Sequence, residues 1–208
     1  MGKFLESDII FYDDKITFIG TPFEGLPEEI AEPLGGLGEY EVEIMMSWED
    51  PIMKRHAEFV CENGGDILEI GFGMGISADH IQSHNPKSHT IIELHPQLAE
   101  KAREWAKDKP STTILEGDWY DVISTLNKFD GIFYDAYGFM ARWEKVAERI
   151  KGHTNEGCHI TFWNPNPREK NGCGFNKAYN VVYEVIEVDP PKNTYFNHKT
   201  YYLPKVVV

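Results

Sequence analysis

The sequence predicts an α/β fold: a doubly wound, mostly parallel sheet with helices on both faces and an antiparallel hairpin at one edge. First, strand-like and helical segments alternate from residue 66 to residue 163. Second, two β-rich runs at 180–188 and 199–208 have no helical pattern between them, which favours an antiparallel pair. Third, a glycine-rich loop separates the first strand of the series from its helix, as in Rossmann-like sheets.

Each element has a local signature in the sequence. The helix at 48–61 carries Pro51 in its first turn and stops before Gly64 and Gly65, which is the usual order of helix-start and helix-stop residues. The other predicted helices cover 77–83, 96–107, 120–126 and 139–150, and the predicted parallel strands cover 66–70, 89–94, 112–115, 131–134 and 159–163. Residues 9–20 alternate around an Asp-Asp-Lys turn and predict a β-hairpin, whereas residues 21–40 are typical of a loop.

The composition predicts one hydrophobic core. The 208 residues are 41% hydrophobic and contain no Pro/Gly/Ser-rich linker and no repeat. We therefore expect one main domain over residues 45–208, preceded by an N-terminal hairpin and loop extension over residues 1–44.

The charge and the cysteines narrow the class of partner and the compartment. Lys and Arg number 20 against 34 Asp and Glu, giving a net charge of −14, which argues against a nucleic-acid partner and favours a small or cationic one. No signal-like or membrane-spanning apolar run occurs, so no membrane partner is expected. Cys61, Cys158 and Cys173 form no C-x-x-C pair and suit reduced thiols, so we expect a cytoplasmic location.

The glycine loop is the most specific chemical signal in the sequence. The run LEIGFGMGIS at 68–77 places Gly71, Gly73 and Gly75 between a strand and a helix, where the backbone can approach a ligand. Glu93 ends the next strand, 20 positions after Gly73, where a carboxylate can bind the two hydroxyls of a ribose. The dinucleotide-binding pattern G-x-G-x-x-G requires a glycine at position 76, where this sequence has Ile76. The loop therefore indicates another adenosine-type cofactor. An ordinary glycine-rich turn is the alternative.

A second loop at the same edge of the sheet also has candidate cofactor residues. Gly117, Asp118 and Trp119 follow the strand at 112–115, at the position where such folds contact an adenine. An ordinary turn explains these residues equally well. His80 and His84 have a zinc-compatible spacing, but no further ligand motif joins them, so no metal is predicted.

Two carboxylates stand out at the expected binding edge. Asp135 follows the apolar strand at 131–134, between Tyr134 and Tyr137, and ligands bind beyond the carboxyl ends of parallel strands. An unpaired charge there is costly to desolvate, so we expect a cation to lie against Asp135 unless water reaches it. Glu49 begins the helix before the first parallel strand, where a carboxylate also complements the helix dipole.

Several motifs together resemble the guanidino-group methyltransferases, namely guanidinoacetate N-methyltransferase and the fungal protein-arginine δ-N-methyltransferase. The matching segments are MMSWEDPIMKRHAEF, ILEIGFGMGIS, HTIIELHPQ, GDWYDV, DGIFYDAYG and YYLPKVVV. The segment FLESDIIFYDDKI at 4–16 is also similar to the region that precedes the catalytic domain of the fungal enzyme.

The resemblance implies a class I methyltransferase fold, S-adenosyl-L-methionine as cofactor and S-adenosyl-L-homocysteine as its product. It implies that Glu49 and Asp135 are the catalytic residues and hold the guanidinium of the substrate. Because the attacking nitrogen becomes acidic as it accepts the methyl group, we expect Asp135 to take its proton. The cofactor contacts that it implies are Met45, Met53, Gly71, Phe72, Gly73, Met74, Gly75, Ile76, Glu93, Leu94, Gly117, Asp118 and Asp135. It further implies that Asn164, Pro165 and Asn166 bind the carboxylate end of the substrate.

The sequence departs from the family in two places that bear on the acceptor. Pro165 offers no N–H to a substrate carboxylate, for which Arg168 and Lys170 are alternative partners, although solvated loop charges explain them more simply. The ankyrin periodicity of the fungal enzyme is absent from this sequence. Three hypotheses therefore stay open: methylation of a small guanidino compound, with guanidinoacetate first; methylation of arginine in a protein; and a non-catalytic cofactor- or arginine-binding module. The oligomeric state is left open.

Overall fold

The structure is a computed structural model that describes residues 2–20, 39–137, 145–165, 174–177 and 179–208. It contains a seven-stranded sheet, which carries the expected binding edge, and a separate three-stranded sheet from the N-terminal part of the chain.

The three-stranded sheet is antiparallel. Helix α1 (Gly2–Glu6) precedes strands β1 (Ile9–Phe11), β2 (Lys15–Gly20) and β3 (Tyr40–Met46). The pairing of β1 with β2 confirms the hairpin predicted at 9–20. Strand β3 was not predicted, because its run YEVEIMM follows a Gly- and Pro-rich stretch and carries three charged or polar residues at its start.

The seven-stranded sheet confirms the predicted fold class. Its strands are β4 (Asp66–Ile70), β5 (Ser88–Glu93), β6 (Thr112–Glu116), β7 (Phe129–Tyr134), β8 (Thr154–Phe162), β9 (Val182–Glu187) and β10 (Thr200–Val207). The spatial order is β6-β5-β4-β7-β8-β10-β9, with β4 to β8 parallel and β10 antiparallel to both β8 and β9. Strands β4 and β7 are neighbours at the centre, so the loops that follow them meet at one edge.

The helices agree with the sequence pattern in order and approximate length. They are α2 (Asp50–Val60), α3 (Ile76–Ser83), α4 (Pro96–Trp105), α5 (Trp119–Val122) and α6 (Val146–Ile150). The helix predicted at 120–126 is α5 followed by a 3₁₀ turn, Ile123–Thr125. Of the helix predicted at 139–150, residues 139–144 lie outside the described residues. No helix among the described residues has the length and apolarity needed to cross a membrane.

Helix α2 packs closely on the central strands and thereby fixes the position of its N-terminus. Ile52, Met53 and Ala57 on its inner face are essentially fully buried. A Cβ at Gly131 of β7 would clash with the carbonyl oxygen of Val60, so glycine at this position permits the close approach. A 3₁₀ turn at Ser47–Glu49 precedes α2, and the packing of the helix therefore holds this turn at the binding edge.

Candidate active site

The glycine loop after β4 and the residue after β7 are in direct backbone contact. Gly71 has φ +95°, and a Cβ there would clash with the carbonyl oxygen of Asp135. The amide of Asp135 donates to the carbonyl of Ile70 at 2.8 Å, and the amide of Gly71 donates to that of Ile92 at 2.8 Å. Glycine at 71 is thus required both by the left-handed backbone and by the close packing of Asp135. These contacts hold the candidate carboxylate in a fixed position beside the candidate cofactor loop.

The other glycines of the loop make room for two side chains. A Cβ at Gly73 would lie 2.8 Å from Sδ of Met45, and a Cβ at Gly75 would lie 2.8 Å from the ring of Phe72. Both glycines have positive φ, +55° and +81°. The sulfur of Met45 also accepts a hydrogen bond from the amide of Met74 at 3.3 Å. Strand β3 therefore reaches the glycine loop through Met45.

Glu93 organises the loops around it through backbone hydrogen bonds. Its carboxylate accepts the amides of Phe72 and His95, each at 2.8 Å, and its carbonyl accepts the amide of Gly117 at 2.9 Å. Burial raises the pKa of Glu93, and these backbone donors oppose the rise. The backbone amides of Gly73 and Leu94 also favour its charged form, so the Glu93 carboxylate joins the glycine loop to the end of β5. Asp118 accepts the amide of Tyr120 at 2.9 Å and caps α5.

Three further predicted cofactor residues, Met53, Ile76 and Leu94, belong to one hydrophobic cluster with Met45. Met53 is fully buried there with Met45, while Ile76 and Leu94 are half-buried against it. The loops, the buried acid at a strand end and this cluster fit an adenosine-bearing cofactor. The assignment of individual contacts stays a prediction.

Glu49 is a buried acid with two hydrogen-bond donors. Its side chain is 3% exposed. Oε1 accepts the amide of Met46 at 2.8 Å and the hydroxyl of Tyr195 at 2.6 Å. Burial, followed by the charge of Asp135, raises the pKa of Glu49 to about 8, although both donors favour the charged form. A simple surface helix-start residue has neither this burial nor this pKa.

Asp135 is half-buried beside the glycine loop. Burial raises its pKa to about 7, and the charges of Glu69 and Glu93 add to the rise. Glu69 itself is fully buried, accepts the hydroxyl of Ser77, and has Nε2 of His89 at 2.9 Å from its Oε2. Among the described residues, no cationic side chain pairs with Asp135 or Glu49. A cation placed against either carboxyl would therefore stabilise its charged form.

An aromatic cluster borders Glu49, and none of its four residues was predicted as part of the site. The ring centroid of Trp48 lies 6.3 Å from that of Tyr195 and 5.6 Å from that of Phe196, both stacked. Trp163 lies 6.2 Å from Tyr195 and 6.4 Å from Trp48. Tyr195 and Phe196 belong to the loop between β9 and β10, which the sequence left without a role. A pair of large aromatic residues in a polar, Pro- and Asn-containing loop was the available signal.

In the stretch predicted to bind a substrate carboxylate, Asn164 donates hydrogen bonds within the protein. Asn164 is fully buried; its amide donates to the hydroxyl of Tyr201 at 2.9 Å, and its side chain donates to the carbonyl of Tyr202 at 2.9 Å. Pro165 is half-buried and has no N–H. Asn166, and with it Arg168 and Lys170, lies outside the described residues.

The N-terminal part of the chain packs against both loops of the site. The ring of Tyr137, two residues after Asp135, lies 4.4 Å from that of Phe4 and 5.4 Å from that of Phe18. Nε2 of His95, two residues after Glu93, lies 3.0 Å from the carbonyl oxygen of Ser7. The boundary between an extension and a main domain at residues 44 and 45 stays a prediction.

No metal site is evident in the part of the chain that the structure describes, where no three His, Cys, Asp or Glu side chains are grouped around a common point. His80 instead has Nε2 at 2.9 Å from Oδ1 of Asp50.

The sheet order, the glycine loop and the buried acid at the end of β5 define a class I methyltransferase fold. The N-methyltransferase NodS from Bradyrhizobium japonicum in complex with S-adenosyl-L-homocysteine has the same fold, with a TM-score of 0.64 and 16% identity over 77% of this chain and 87% of that chain. Spermidine synthase from Thermotoga maritima gives a TM-score of 0.65 and 15% identity, covering 96% of this chain and 72% of that chain.

The chain belongs to the guanidinoacetate N-methyltransferase family, whose model matches residues 36–162. This match confirms the resemblance that the motifs indicated. S-adenosylmethionine is the cofactor expected at the level of the family.

Curated relatives at about 30% identity carry the name protein arginine N-methyltransferase 2. The Candida glabrata protein is 32% identical over 200 residues, covering 78% of this chain and 47% of the relative. The Yarrowia lipolytica protein is 29% identical over 201 residues, covering 89% of this chain and 37% of the relative. The Saccharomyces cerevisiae protein is 30% identical over 204 residues, with coverages of 78% and 47%. This chain thus spans less than half the length of these relatives.

Proposed function

We propose that the protein transfers a methyl group from S-adenosylmethionine to a nitrogen of a guanidino group. The observation that carries this proposal is the pair of carboxyls, Glu49 and Asp135, both with raised pKa values and neither paired with a cation among the described residues. A guanidinium is planar, always charged and matched in geometry to carboxylates, so it fits such a pair. The position of Asp135 against the glycine loop brings that cation next to the cofactor.

The chain's own residues orient the acceptor and remove its proton. Glu49 neutralises the guanidinium and fixes its plane, and Asp135 aims one nitrogen toward the cofactor side of the site. When bound, S-adenosylmethionine supplies an electrophilic methyl group and leaves as S-adenosylhomocysteine. The attacking nitrogen becomes acidic as its bond to the methyl carbon forms, and Asp135 accepts the proton that this nitrogen releases. A carboxyl whose pKa is about 7 before the cation binds is a competent acceptor at neutral pH.

We further propose that the guanidino group is an arginine side chain of a protein. The names of the relatives support this acceptor. The hydrogen bonding of Asn164 also supports it, because its backbone amide and one of its side-chain N–H groups donate to Tyr201 and Tyr202 rather than pointing to a substrate carboxylate. The net charge of −14 suits a basic protein surface.

Guanidinoacetate, converted to creatine, is the second candidate. The family model that matches residues 36–162 favours it, and it was the first acceptor considered from the sequence. A non-catalytic binding module is the least favoured hypothesis, since a module of that kind has no need for a carboxyl beside the methyl group.

The test is mass-spectrometric detection of methyl transfer from deuteromethyl-labelled S-adenosylmethionine. Guanidinoacetate, free arginine and an arginine-bearing peptide are offered in separate reactions, and fragmentation of the product locates the modified nitrogen. We expect labelled arginine in the peptide and no labelled creatine. Labelled creatine alone would select the second candidate. No labelled product from any acceptor, with cofactor binding verified by calorimetry, would refute methyl transfer to a guanidino group.

The Asp135→Asn variant tests the assigned role within the same assay. Its turnover should fall by about a hundredfold or more, as expected for loss of a proton acceptor, while the cofactor still binds. Unchanged turnover would show that Asp135 is not the proton acceptor.

A further inference from the structure

The hydrogen bonds to Glu49 are strongly asymmetric. The amide of Met46 and the hydroxyl of Tyr195 both end on Oε1, at 2.8 and 2.6 Å. Among the described residues, no hydrogen bond to Oε2 accompanies them. The side chain of Glu49 is 3% exposed, so its two oxygens have distinct and fixed surroundings. Within the described parts of the chain, hydrogen bonds therefore hold one oxygen of Glu49 and not the other.

Tyr195 is itself fixed by its own loop. Oδ1 of Asn193 accepts the amides of Tyr195 and Phe196, at 3.0 and 2.7 Å, in the pattern of an Asx turn. The side-chain amide of Asn193 donates to the carbonyls of Pro191 and Phe196, at 2.8 and 2.7 Å. Asn193 is 7% exposed, and Phe196 is 1% exposed. The ring of Tyr195 also stacks on Trp48, the residue directly before Glu49. The loop between β9 and β10 is therefore built to hold this hydroxyl in place.

We propose that Tyr195 is a positioning residue for Glu49, holding Oε1 so that Oε2 faces the guanidinium of the methyl acceptor. This role rests on the proposed function. It assigns the β9–β10 loop to acceptor binding, although Tyr195 lies 146 residues from Glu49 in sequence. Tyr195 touches the acceptor only through Glu49 in this scheme.

The same contact also affects the pKa of Glu49. The hydrogen bond from Tyr195 lowers the pKa of Glu49, while burial and the charge of Asp135 raise it. In the part of the chain that the structure describes, Asp135, which follows β7, and Tyr195, in the β9–β10 loop, are the titratable groups that shift the pKa of Glu49. Burial and the charge of Glu49 raise the pKa of Tyr195, so its hydroxyl keeps its proton and always donates. Loss of this donor would leave more of Glu49 protonated at neutral pH, and a protonated Glu49 binds a guanidinium poorly.

The first test measures kinetics of Tyr195→Phe, which keeps the ring and its stacking but removes the hydroxyl. The acceptor is the one that the wild-type protein methylates, guanidinoacetate or an arginine-bearing peptide. We expect KM for the acceptor to rise roughly tenfold or more at neutral pH and kcat to change little. The difference in KM between Tyr195→Phe and the wild type should become smaller as pH rises through the pKa of Glu49. Affinity for S-adenosylmethionine should be unchanged.

Tyr183→Phe is the matched control, because it removes one hydroxyl from the adjacent strand β9 without touching Glu49. It should leave the acceptor KM and its pH dependence as in the wild type. A rise in the acceptor KM of Tyr195→Phe that is independent of pH would overturn the positioning role in favour of a general structural one. Weaker binding of S-adenosylmethionine by this variant would do the same.

The second test needs no activity. The carboxyl ¹³C resonance of Glu49, assigned by its absence from Glu49→Gln, is titrated in the wild type and in Tyr195→Phe. The positioning role predicts a higher pKa for Glu49 in Tyr195→Phe, whereas an unchanged pKa would overturn it. Absence of methyl transfer by the wild-type protein would instead overturn the proposed function, so the two failures are distinguishable.

Discussion

Neutralising Asp135 should stabilise the cofactor-free protein, and it should do so more strongly at higher pH. The pKa of Asp135 is raised from 3.8 to about 7. Between these values the folded protein retains a proton that the unfolded chain has released. The free energy of unfolding therefore falls as pH rises through this window. Above pH 7 the charged carboxyl destabilises the folded protein by its full amount. The amide that Asp135→Asn introduces would carry no charge and no such cost.

The size of the gain follows from the difference between the two pKa values. One pKa unit corresponds to about 1.4 kcal/mol, so the difference sets an upper value of about 4 kcal/mol. Asp135 is half-buried, and with an allowance for partial solvent screening about 2–4 kcal/mol is expected at about pH 8.5, and less than about 2 kcal/mol at about pH 5. Removing the charge of Asp135 also lowers the pKa of Glu49, because the two negative charges no longer repel each other. This effect further increases the free energy of unfolding.

The assay is urea unfolding of the wild type and Asp135→Asn at both pH values, without cofactor. Asp13→Asn is the matched control, because Asp13 is exposed in the turn between β1 and β2, and it should change the free energy of unfolding by less than about 0.5 kcal/mol. Saturating S-adenosylmethionine should reduce the difference in free energy of unfolding between Asp135→Asn and the wild type, since its sulfonium favours the charged form of Asp135. A gain that is absent at the higher pH, or equal at both, would refute the claim that Asp135 is an unpaired carboxyl held at a cost.

Two other predictions concern the cofactor side of the site. Gly71→Ala should destabilise the protein by more than about 2 kcal/mol, because a Cβ there clashes with the carbonyl oxygen of Asp135 and φ is +95°. Gly152→Ala, which meets nothing within 4 Å, is its control in thermal unfolding, and similar midpoints for the two variants would contradict the close packing. Glu93→Gln should weaken S-adenosylmethionine binding by roughly tenfold or more in calorimetry, since an amide nitrogen would face one of the two backbone donors. The exposed Glu100→Gln should bind as the wild type does, and equal affinities in both variants would remove Glu93 from the site.

The parallel sheet could be predicted from the sequence because its elements are locally consistent. The alternation of strands and helices, Pro51 at a helix start and the glycine loop each indicate structure within a few residues. The placement of Asp135 and Glu93 at one edge followed from the rule that parallel strands present their carboxyl ends together.

The missed features all depend on contacts between distant segments. Strand β3 exists because Val42, Met45 and Met46 are buried when it pairs with β2, and its polar start hides that pattern. The bond between Tyr195 and Glu49 joins residues that are 146 positions apart. The burial of Asn164 against Tyr201 likewise requires the antiparallel return of β10 beside β8. No periodicity within a window of the sequence contains such information.

The central claim is that Glu49 and Asp135 together bind a guanidinium, and proton release on binding tests it most directly. Calorimetry of N-acetyl-arginine amide and of guanidinoacetate with the S-adenosylhomocysteine-bound protein, near pH 7 in buffers of different ionisation enthalpy, measures the protons exchanged. A bound cation lowers the pKa of Glu49 from about 8, so we predict net proton release that is reduced in Glu49→Gln together with the affinity. Binding without proton release, or with undiminished affinity in Glu49→Gln, would contradict the account.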